Sequence, residues 1–204
     1  MAADWWLVTG LVLVAVLGGL AAGIPLGRRR AQAADADGAD EAVRPLAAVV
    51  VNPTKAEPHT FREVAGVCAE LGWREPLWLE TTVEDPGTGQ AREAIERGAD
   101  VVLACGGDGT LRSVAEGLAG TGVALGLIPV GTGNLLARTI GTPQEVVAAT
   151  RVALSGDDRK IDVGRVRVDG AEHERVFLVM AGTGFDAAIM ANTPEALKVR
   201  VGPL

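Results

Sequence analysis

Residues 101–110 read Val-Val-Leu-Ala-Cys-Gly-Gly-Asp-Gly-Thr, and they give the strongest indication of the fold class. Its first four residues are continuously apolar, which is typical of a strand buried on both faces of a parallel sheet. The glycines that follow permit positive φ angles and let a ligand approach the main chain closely. Helical spacing starts at Thr110, and the free amides at a helix start favour phosphate. The stretch therefore predicts a strand, a ligand-binding turn and a helix.

The same alternation continues on both sides of this stretch. Short apolar runs alternate with amphipathic segments, one of which has Pro143 at its start, a favoured position for proline in a helix. Strands that alternate with helices predict βαβ units around a parallel sheet, so the fold class is α/β. The predicted strands are 46–51, 75–79, 101–104 and 123–129, and the predicted helices are 60–71, 89–98, 110–118, 134–140 and 143–154.

Unusual residues follow three of these strands. Asn52 and Lys55 follow the first strand, the turn 106–110 follows the third, and the sequence Gly131-Thr-Gly-Asn134 follows the fourth. Ligands bind beyond the carboxyl ends of parallel strands, so we expect the two glycine loops to form one cradle lined with amides. Neither loop is a Walker A or a GxGxxG motif.

Asp108 adds a carboxylate to the first glycine loop. Beside phosphates, such a group could bind Mg²⁺, which prefers oxygen ligands, or hold a ribose hydroxyl. Thr110 could cap the following helix and donate its hydroxyl group. The alternative is an ordinary tight turn between a strand and a helix, in which Asp108 is only a helix cap.

The N-terminal residues 1–27 are predicted to be a membrane anchor. Residues 5–27 carry no charge and are long enough for a helix to cross a hydrocarbon core of about 30 Å. Trp5 and Trp6 stand at one end and arginines 28–30 at the other, which predicts a single pass through the cell membrane with the catalytic region in the cytoplasm. A cleaved signal peptide is the alternative.

Residues 28–45 are mostly small and acidic after the arginines, and they predict a flexible linker.

The pattern changes after Gly156. Polar and apolar residues alternate along 160–168, and residues 176–179 are apolar. Between them, Asp169 and Gly170 suit a hairpin turn. We therefore expect residues 46–157 to form an α/β lobe that binds nucleotide, and residues 158–204 to begin an incomplete β-sandwich lobe. Open strand edges in that second lobe would need a cover, from a second copy or from a partner that completes it.

Composition narrows the classes of function. The formal net charge of −7 argues against a broad basic face, so no nucleic-acid partner is expected. The two cysteines, Cys68 and Cys105, form no CxxC pair, which indicates a reducing compartment. Cys105 lies in an apolar pattern and is interpreted as core packing rather than as a nucleophile.

Five motifs, taken in order, resemble the diacylglycerol kinase catalytic-domain family, which includes bacterial lipid kinases and the sphingosine and ceramide kinases. The GGDGT turn alone is weak evidence for the family, because NAD kinases and phosphofructokinases share it. The ordered set of five motifs over residues 46–204 is specific evidence. The resemblance implies a kinase with ATP and Mg²⁺ as cofactors, which phosphorylates a diacylglycerol-like lipid at the membrane. The motifs are Asn52-Pro-Thr-Lys55, Gly106-Gly-Asp-Gly-Thr110, Gly131-Thr-Gly-Asn134, Lys160-Ile-Asp-Val-Gly164 and Ala181-Gly-Thr-Gly-Phe-Asp186.

The resemblance also implies which residues meet the nucleotide. Asp108 is the catalytic candidate and would reach a metal through Mg-ATP. Leu135 departs from the family, in which many relatives carry Asp at this position, and Asp162 and Asp186 occupy family positions that also suit caps or turns. The sequence does not choose between Thr81 and Thr82. The implied nucleotide-binding residues are Asn52, Pro53, Lys55, Thr81, Thr82, Gly106, Gly107, Asp108, Gly109, Thr110, Gly131, Thr132, Gly133 and Asn134.

The second lobe of the relatives continues beyond the position of residue 204. There it carries a carboxylate expected to act as general base and acidic ligands for a metal, so we expect nucleotide binding with little or no turnover. Two alternatives stay open. One is a non-catalytic ATP-binding module or half of a split kinase, and the other is a kinase of the NAD kinase type with a soluble substrate. The apolar N-terminal segment and the second glycine loop argue against the latter.

Overall fold

The computed structural model describes residues 44–167 and 174–182, together with the backbone of residues 24–26. Strands and helices alternate through most of this part of the chain. The strands are β1 (Ile24–Leu26), β2 (Ala47–Val51), β3 (Leu77–Glu80), β4 (Val101–Gly106), β5 (Ala124–Pro129), β6 (Arg159–Ile161), β7 (Gly164–Val166) and β8 (Arg175–Phe177). The helices are α1 (Thr60–Glu70), α2 (Thr88–Glu96), α3 (Asp108–Leu118), α4 (Leu135–Thr139) and α5 (Val146–Ser155).

Four strands form a parallel sheet in the order β3-β2-β4-β5, which confirms the predicted α/β fold with a parallel sheet. Every residue of β2 and of β4 is buried. Such complete burial requires helices on both faces of the sheet, and this explains why both strands are continuously apolar in sequence. The chain leaves β2 for β3 on one side and later enters β4 on the other side. The strand order therefore reverses between β2 and β4.

Successive strand residues point to opposite faces of the sheet. Val49 and Leu103 pack with α1 and α5 on one face, whereas Val50 and Ala104 pack with α2 and α3 on the other. The helices approach closely where small residues allow it. In α3, a Cβ added at Gly117 would lie 2.7 Å from the carbonyl oxygen of Thr88.

Two helix starts differ from the sequence prediction by more than one residue. Helix α5 begins at Val146, three residues later than predicted, because Glu145 has extended backbone angles and its carboxylate accepts hydrogen bonds from the amides of Val147 and Ala148. The acidic cap, and not Pro143, sets the start of this helix. Helix α3 begins at Asp108, two residues earlier than predicted, because Gly107 provides the extended residue before it.

The prediction of a membrane helix is wrong for residues 24–26, at the end of the predicted segment. These residues form β1, which pairs with β6 in antiparallel register, with Ile24 opposite Ile161. Pro25 explains the difference, since it lacks an amide hydrogen and disfavours helical angles at the residue before it. Residues 1–23 lie outside the described part of the chain. Where the structure does describe the chain, none of its helices has the length and the apolar character needed to cross a bilayer.

The last two residues of the predicted linker, Arg44 and Pro45, already contact the α/β lobe. The guanidinium group of Arg44 donates hydrogen bonds to the carbonyl oxygens of Gly72 (3.1 Å) and Trp73 (2.7 Å). Beside it, the amide of Arg74 donates to the carbonyl oxygen of Pro45 at 3.0 Å. These bonds fix the chain at the entrance to β2. The rest of the predicted linker, residues 28–43, lies outside the described residues.

Short antiparallel strands follow the α/β lobe, as the alternating pattern predicts. Strand β7 pairs with β8, and Val176 of β8 is buried. The predicted hairpin turn at Asp169 and Gly170 and the family position Asp186 lie outside the described residues. Asp162 lies between β6 and β7 and is exposed.

Two glycines inside helices provide a matched test of this packing. An added Cβ at Gly66 in α1 would have no atom within 4 Å, whereas at Gly117 it would also lie 2.8 Å from the Cβ of Ala91. Alanine gains about 0.5–1 kcal/mol over glycine in a helix interior, so Gly66→Ala should raise the free energy of unfolding by that amount. Gly117→Ala should lower it by about 1–3 kcal/mol because α2 and α3 must separate. Urea denaturation measures both, and equal effects would contradict the close approach.

Candidate functional site

The loops that follow the four parallel strands lie side by side at one edge of the sheet. Hydrogen bonds continue the sheet one residue beyond three of the strand pairs, so the starts of the loops are fixed relative to one another. These bonds run from Asn52 N to Cys105 O (2.9 Å), from Thr81 N to Val51 O (2.8 Å) and from Val130 N to Gly106 O (3.1 Å). The edge contains the point between β2 and β4 where the strand order reverses, and such points form the ligand crevices of open α/β sheets.

The loop after β2 is shaped by Asn52. Its Oδ1 accepts hydrogen bonds from the amide (3.0 Å) and the hydroxyl group (2.8 Å) of Thr54, and its carbonyl oxygen accepts one from the amide of Lys55 (3.0 Å). Asparagine commonly stabilises a turn in this way. Pro53 and Lys55 are exposed on the turn. The ammonium group of Lys55 is therefore exposed to solvent, at the edge of the sheet where the parallel strands have their carboxyl ends.

The two threonines after β3 differ in their environment. Thr82 is exposed, its hydroxyl oxygen accepts a hydrogen bond from the amide of Asp85, and its own amide donates to the Asp85 carbonyl oxygen, both at 3.0 Å. Thr81 is only 8% exposed, and its hydroxyl makes no hydrogen bond to the described residues. Thr82 therefore builds the local turn, whereas the Thr81 hydroxyl is free for a ligand.

The two glycine loops touch each other through their backbones. A Cβ added at Gly131 would collide with the Cα of Gly107, and a Cβ at Gly107 would lie 3.4 Å from the Cα of Gly131. At Gly106, a Cβ would lie 2.6 Å from the side chain of Thr110. Glycine at these three positions lets the loops after β4 and β5 form one continuous surface. Gly109 has open space beside it.

Asp108 joins the two loops. It is the first residue of α3, but its Oδ1 accepts a hydrogen bond of 2.7 Å from the amide of Leu135, the first residue of α4. A Cβ added at Gly133 would lie 2.9 Å from its other oxygen, Oδ2. The sequence left open whether Asp108 is only a cap. The structure shows that it caps the helix of the neighbouring loop.

Asn134 lies inside the second loop rather than on its surface. It is 5% exposed and has a φ of 51°, and it is the one non-glycine residue with positive φ in the described part of the chain. Its Oδ1 accepts from the amide of Gly131 at 3.1 Å, and its Nδ2 donates to the carbonyl oxygen of Gly131 at 2.8 Å. The exposed Thr132 and the partly buried Gly133 form the tip of the loop, and their amides make no hydrogen bond to the described residues.

Two residues that sequence reasoning missed also hold this loop. The guanidinium Nε of Arg138 donates to the carbonyl oxygen of Gly133 at 2.9 Å, and the side chain of Gln144 accepts from Asn134 Nδ2 at 3.1 Å. Neither residue belongs to a motif. Arg138 lies one turn of helix after the loop, which is a detectable spacing, but no sequence signal marks Gln144.

A small cavity of about 10 Å³ is lined by residues of β4, β5 and the two loops, including Asp108 and Asn134. This volume is close to that of a single water molecule. Within residues 44–167 and 174–182, no group of three or more His, Cys, Asp or Glu side chains could hold a metal ion. Asp108 is the carboxylate that the two glycine loops themselves provide.

Comparisons with known proteins identify the family. The family model described as "Diacylglycerol kinase catalytic domain" matches residues 46–166, which contain both glycine loops. The chain belongs to the diacylglycerol kinase catalytic-domain family. This confirms the resemblance and favours it over the NAD kinase alternative.

Curated relatives give the same result. A protein named "Diacylglycerol kinase" from Staphylococcus aureus (strain MRSA252) is 31% identical over 79% of this chain and 50% of its own length. "Probable lipid kinase YegS-like" from Klebsiella pneumoniae (strain 342) is 39% identical over 54% of this chain and 36% of its own length. The chain therefore spans about half the length of the curated relatives it matches, or less.

A solved structure is also similar. The crystal structure of a diacylglycerol kinase from Bacillus anthracis str. Sterne is 25% identical in sequence, and the match covers 53% of this chain and 42% of that chain, with a TM-score of 0.46.

The two cysteines provide a test of burial near this site. Burial raises the pKa of Cys68 from 9.0 to about 11 and that of Cys105 to about 12. Because thiolate is the reactive form, neither thiol should react with a disulfide reagent at pH 8 until urea unfolds the chain. The folded state holds these protons more tightly, so the free energy of unfolding should fall as the pH rises above 9. Rapid labelling of Cys105 in the folded protein would contradict its burial.

Proposed function

We propose that this domain binds ATP with Mg²⁺ and transfers the γ-phosphate to a lipid hydroxyl group, as in a diacylglycerol-like substrate. One observation supports the proposal more than any other. The two glycine loops follow the adjacent strands β4 and β5, they touch each other next to the point where the strand order reverses, and Asp108 links them. The family membership and the names of the relatives support the kinase reaction and the lipid substrate.

The main chain of the loops would bind the phosphates. The amides at the start of α3 have no partners within the helix, and the amides of Thr132 and Gly133 are also unpaired among the described residues. Unpaired amides that converge from two adjacent turns make an anion-binding concavity. Glycine at 107 and 131 keeps side chains out of this surface. The exposed ammonium group of Lys55 adds positive charge at the same edge.

The nucleotide would also contact the loops after β2 and β3. Thr81 is the better candidate than Thr82, because its hydroxyl is unpaired whereas that of Thr82 holds the turn with Asp85. Asn52 would act by shaping the loop that carries Lys55, since its Oδ1 is already bonded to Thr54. Thr110 would support the first glycine loop from beneath, where it packs against Gly106.

Asp108 is the residue that would contact Mg²⁺. Kinases commonly hold this ion through one or two carboxylates and the phosphates themselves, and the ion neutralises charge on the transferred group. The Oδ1 of Asp108 is bonded to Leu135, which leaves Oδ2 for the ion. Catalysis in this lobe would consist of positioning and charge neutralisation. A base for the lipid hydroxyl would come from outside the described residues.

The reaction can be tested with two substitutions that preserve hydrogen bonding. Asp108→Asn keeps an oxygen for the Leu135 amide but loses the charge, so it should fold with a melting temperature within about 5 °C of the original. Phosphate transfer from Mg-ATP to diacylglycerol in mixed micelles should fall at least about 100-fold, as for loss of a group that helps to stabilise charge in the transition state. Asp100→Asn is the matched control. Its Oδ2 accepts from the amide of Leu46 at 2.9 Å at the opposite edge of the sheet, and activity should be retained.

Nucleotide binding is measured separately, by the shift of the melting temperature in millimolar Mg-ATP. A shift without phosphate transfer would support the alternative of a non-catalytic ATP-binding module or half of a split kinase. The absence of any shift would contradict both functions. Full activity of Asp108→Asn would remove the role assigned to Asp108.

We also propose that residues 5–23 attach the chain to the cell membrane, with the α/β lobe on the cytoplasmic side. These residues are uncharged, and the arginines at 28–30 follow them. If these residues are inserted in the membrane, the pairing of β1 with β6 would keep the lobe close to the bilayer. An attached kinase domain meets its lipid substrate at a raised effective concentration.

Membrane attachment can be tested with two charge insertions. Leu13→Arg places a charge in the centre of the apolar segment, which costs about 2.5–3.5 kcal/mol on insertion scales, so the chain should leave the membrane fraction. Val83→Arg is the control, because Val83 is 95% exposed on the loop after β3. Protease added outside sealed cells should not digest the lobe. Equal fractionation of both variants, or digestion from outside, would contradict the proposed attachment.

A further inference from the structure

The second glycine loop depends on an unfavourable backbone conformation at Asn134. A φ of 51° brings the Cβ of a non-glycine residue close to its own carbonyl oxygen, and such residues persist where the surroundings hold them. The side chain of Asn134 reaches back across the turn to the amide and the carbonyl oxygen of Gly131. The orientation of the free amides of Thr132 and Gly133 therefore depends on how firmly the Asn134 side chain is held.

Asn134 Nδ2 has two hydrogens, and its acceptors are unequal. The Gly131 carbonyl oxygen lies at 2.8 Å and takes one hydrogen, whereas the Pro129 carbonyl oxygen lies at the long distance of 3.4 Å. The acceptor within ordinary hydrogen-bond distance for the other hydrogen is Oε1 of Gln144, at 3.1 Å. Without Gln144, a buried N–H group would keep only the long contact to Pro129.

Gln144 itself is held from the other side. Its Nε2 donates to the carbonyl oxygen of Thr142 at 3.0 Å, so the amide group is oriented with Oε1 towards Asn134. Gln144 is nevertheless an exposed residue in the loop between α4 and α5. Exposed side chains outside the core contribute little to global stability. Its replacement should therefore change the glycine loop without unfolding the domain.

We propose that Gln144 is a positioning residue for the second glycine loop: it fixes the side chain of Asn134 and thereby orients the phosphate-binding amides of Thr132 and Gly133. The inference rests on the proposed function, because it assumes that these amides bind a nucleotide phosphate. Gln144 does not touch the ligand in this scheme. It acts through Asn134, and this dependence can be measured.

A double-mutant cycle tests the proposal with Mg-ATP titrated calorimetrically into the full chain. Gln144→Ala should weaken nucleotide binding about threefold to tenfold, the range for one lost hydrogen bond, with a melting temperature within about 2 °C of the original. In the Asn134→Gly background, which tolerates positive φ but lacks the side-chain amide, Gln144→Ala should have no further effect on affinity. Residues that act through one another show such non-additivity.

Glu145→Ala is the matched control in the same loop. It removes the cap of α5, so it should lower the melting temperature while leaving nucleotide affinity unchanged. Equal affinity of Gln144→Ala and the original chain, or the same loss in both Asn134 backgrounds, would overturn the positioning role. If the original chain binds no nucleotide at all, the proposed function itself fails, and this outcome is distinct from the other two.

Discussion

The backbone contact between Gly107 and Gly131 is the constraint on which the site depends. Two loops from neighbouring strands approach until a single added methyl group would collide, and the Asp108 carboxylate bridges them by binding the amide of Leu135. Charge-assisted hydrogen bonds of this kind are short and directional, so the two loops have one relative position. A ligand that needs amides from both loops finds them already arranged, without a further loss of conformational entropy.

The sheet explains why these two loops are neighbours. Strands β4 and β5 are adjacent and parallel, and they pair from Val101 opposite Ala124 to Gly106 opposite Pro129, so both end at the same level. Helices on both faces bury the two strands completely. The rigid strands and helices therefore position both loops at the carboxyl ends of the strands. The loops themselves need only short local hydrogen bonds to keep their shape.

Asp108 and Asn134 show how residues predicted to lie at a ligand can also hold the loop itself. Each was expected at the nucleotide, and each has a structural bond to the second loop: Asp108 to the start of α4 and Asn134 across the turn. A substitution that removes the whole side chain at either position would change the loop and the ligand contact together. For Asp108, the informative variant is therefore one that keeps the hydrogen bond and changes only the charge.

The parallel α/β sheet, the two glycine loops and the family could be predicted from the amino-acid sequence, because buried strands, turns and helical periodicity are local patterns along the chain. Only the tertiary structure decided what the polar side chains bind. Asp108 caps a helix 27 residues away, Gln144 holds an amide 10 residues back, and residues 24–26 pair with a strand near residue 160 although their apolar context predicted a helix. Such contacts join distant parts of the chain, and neither hydrophobic period nor residue spacing records them.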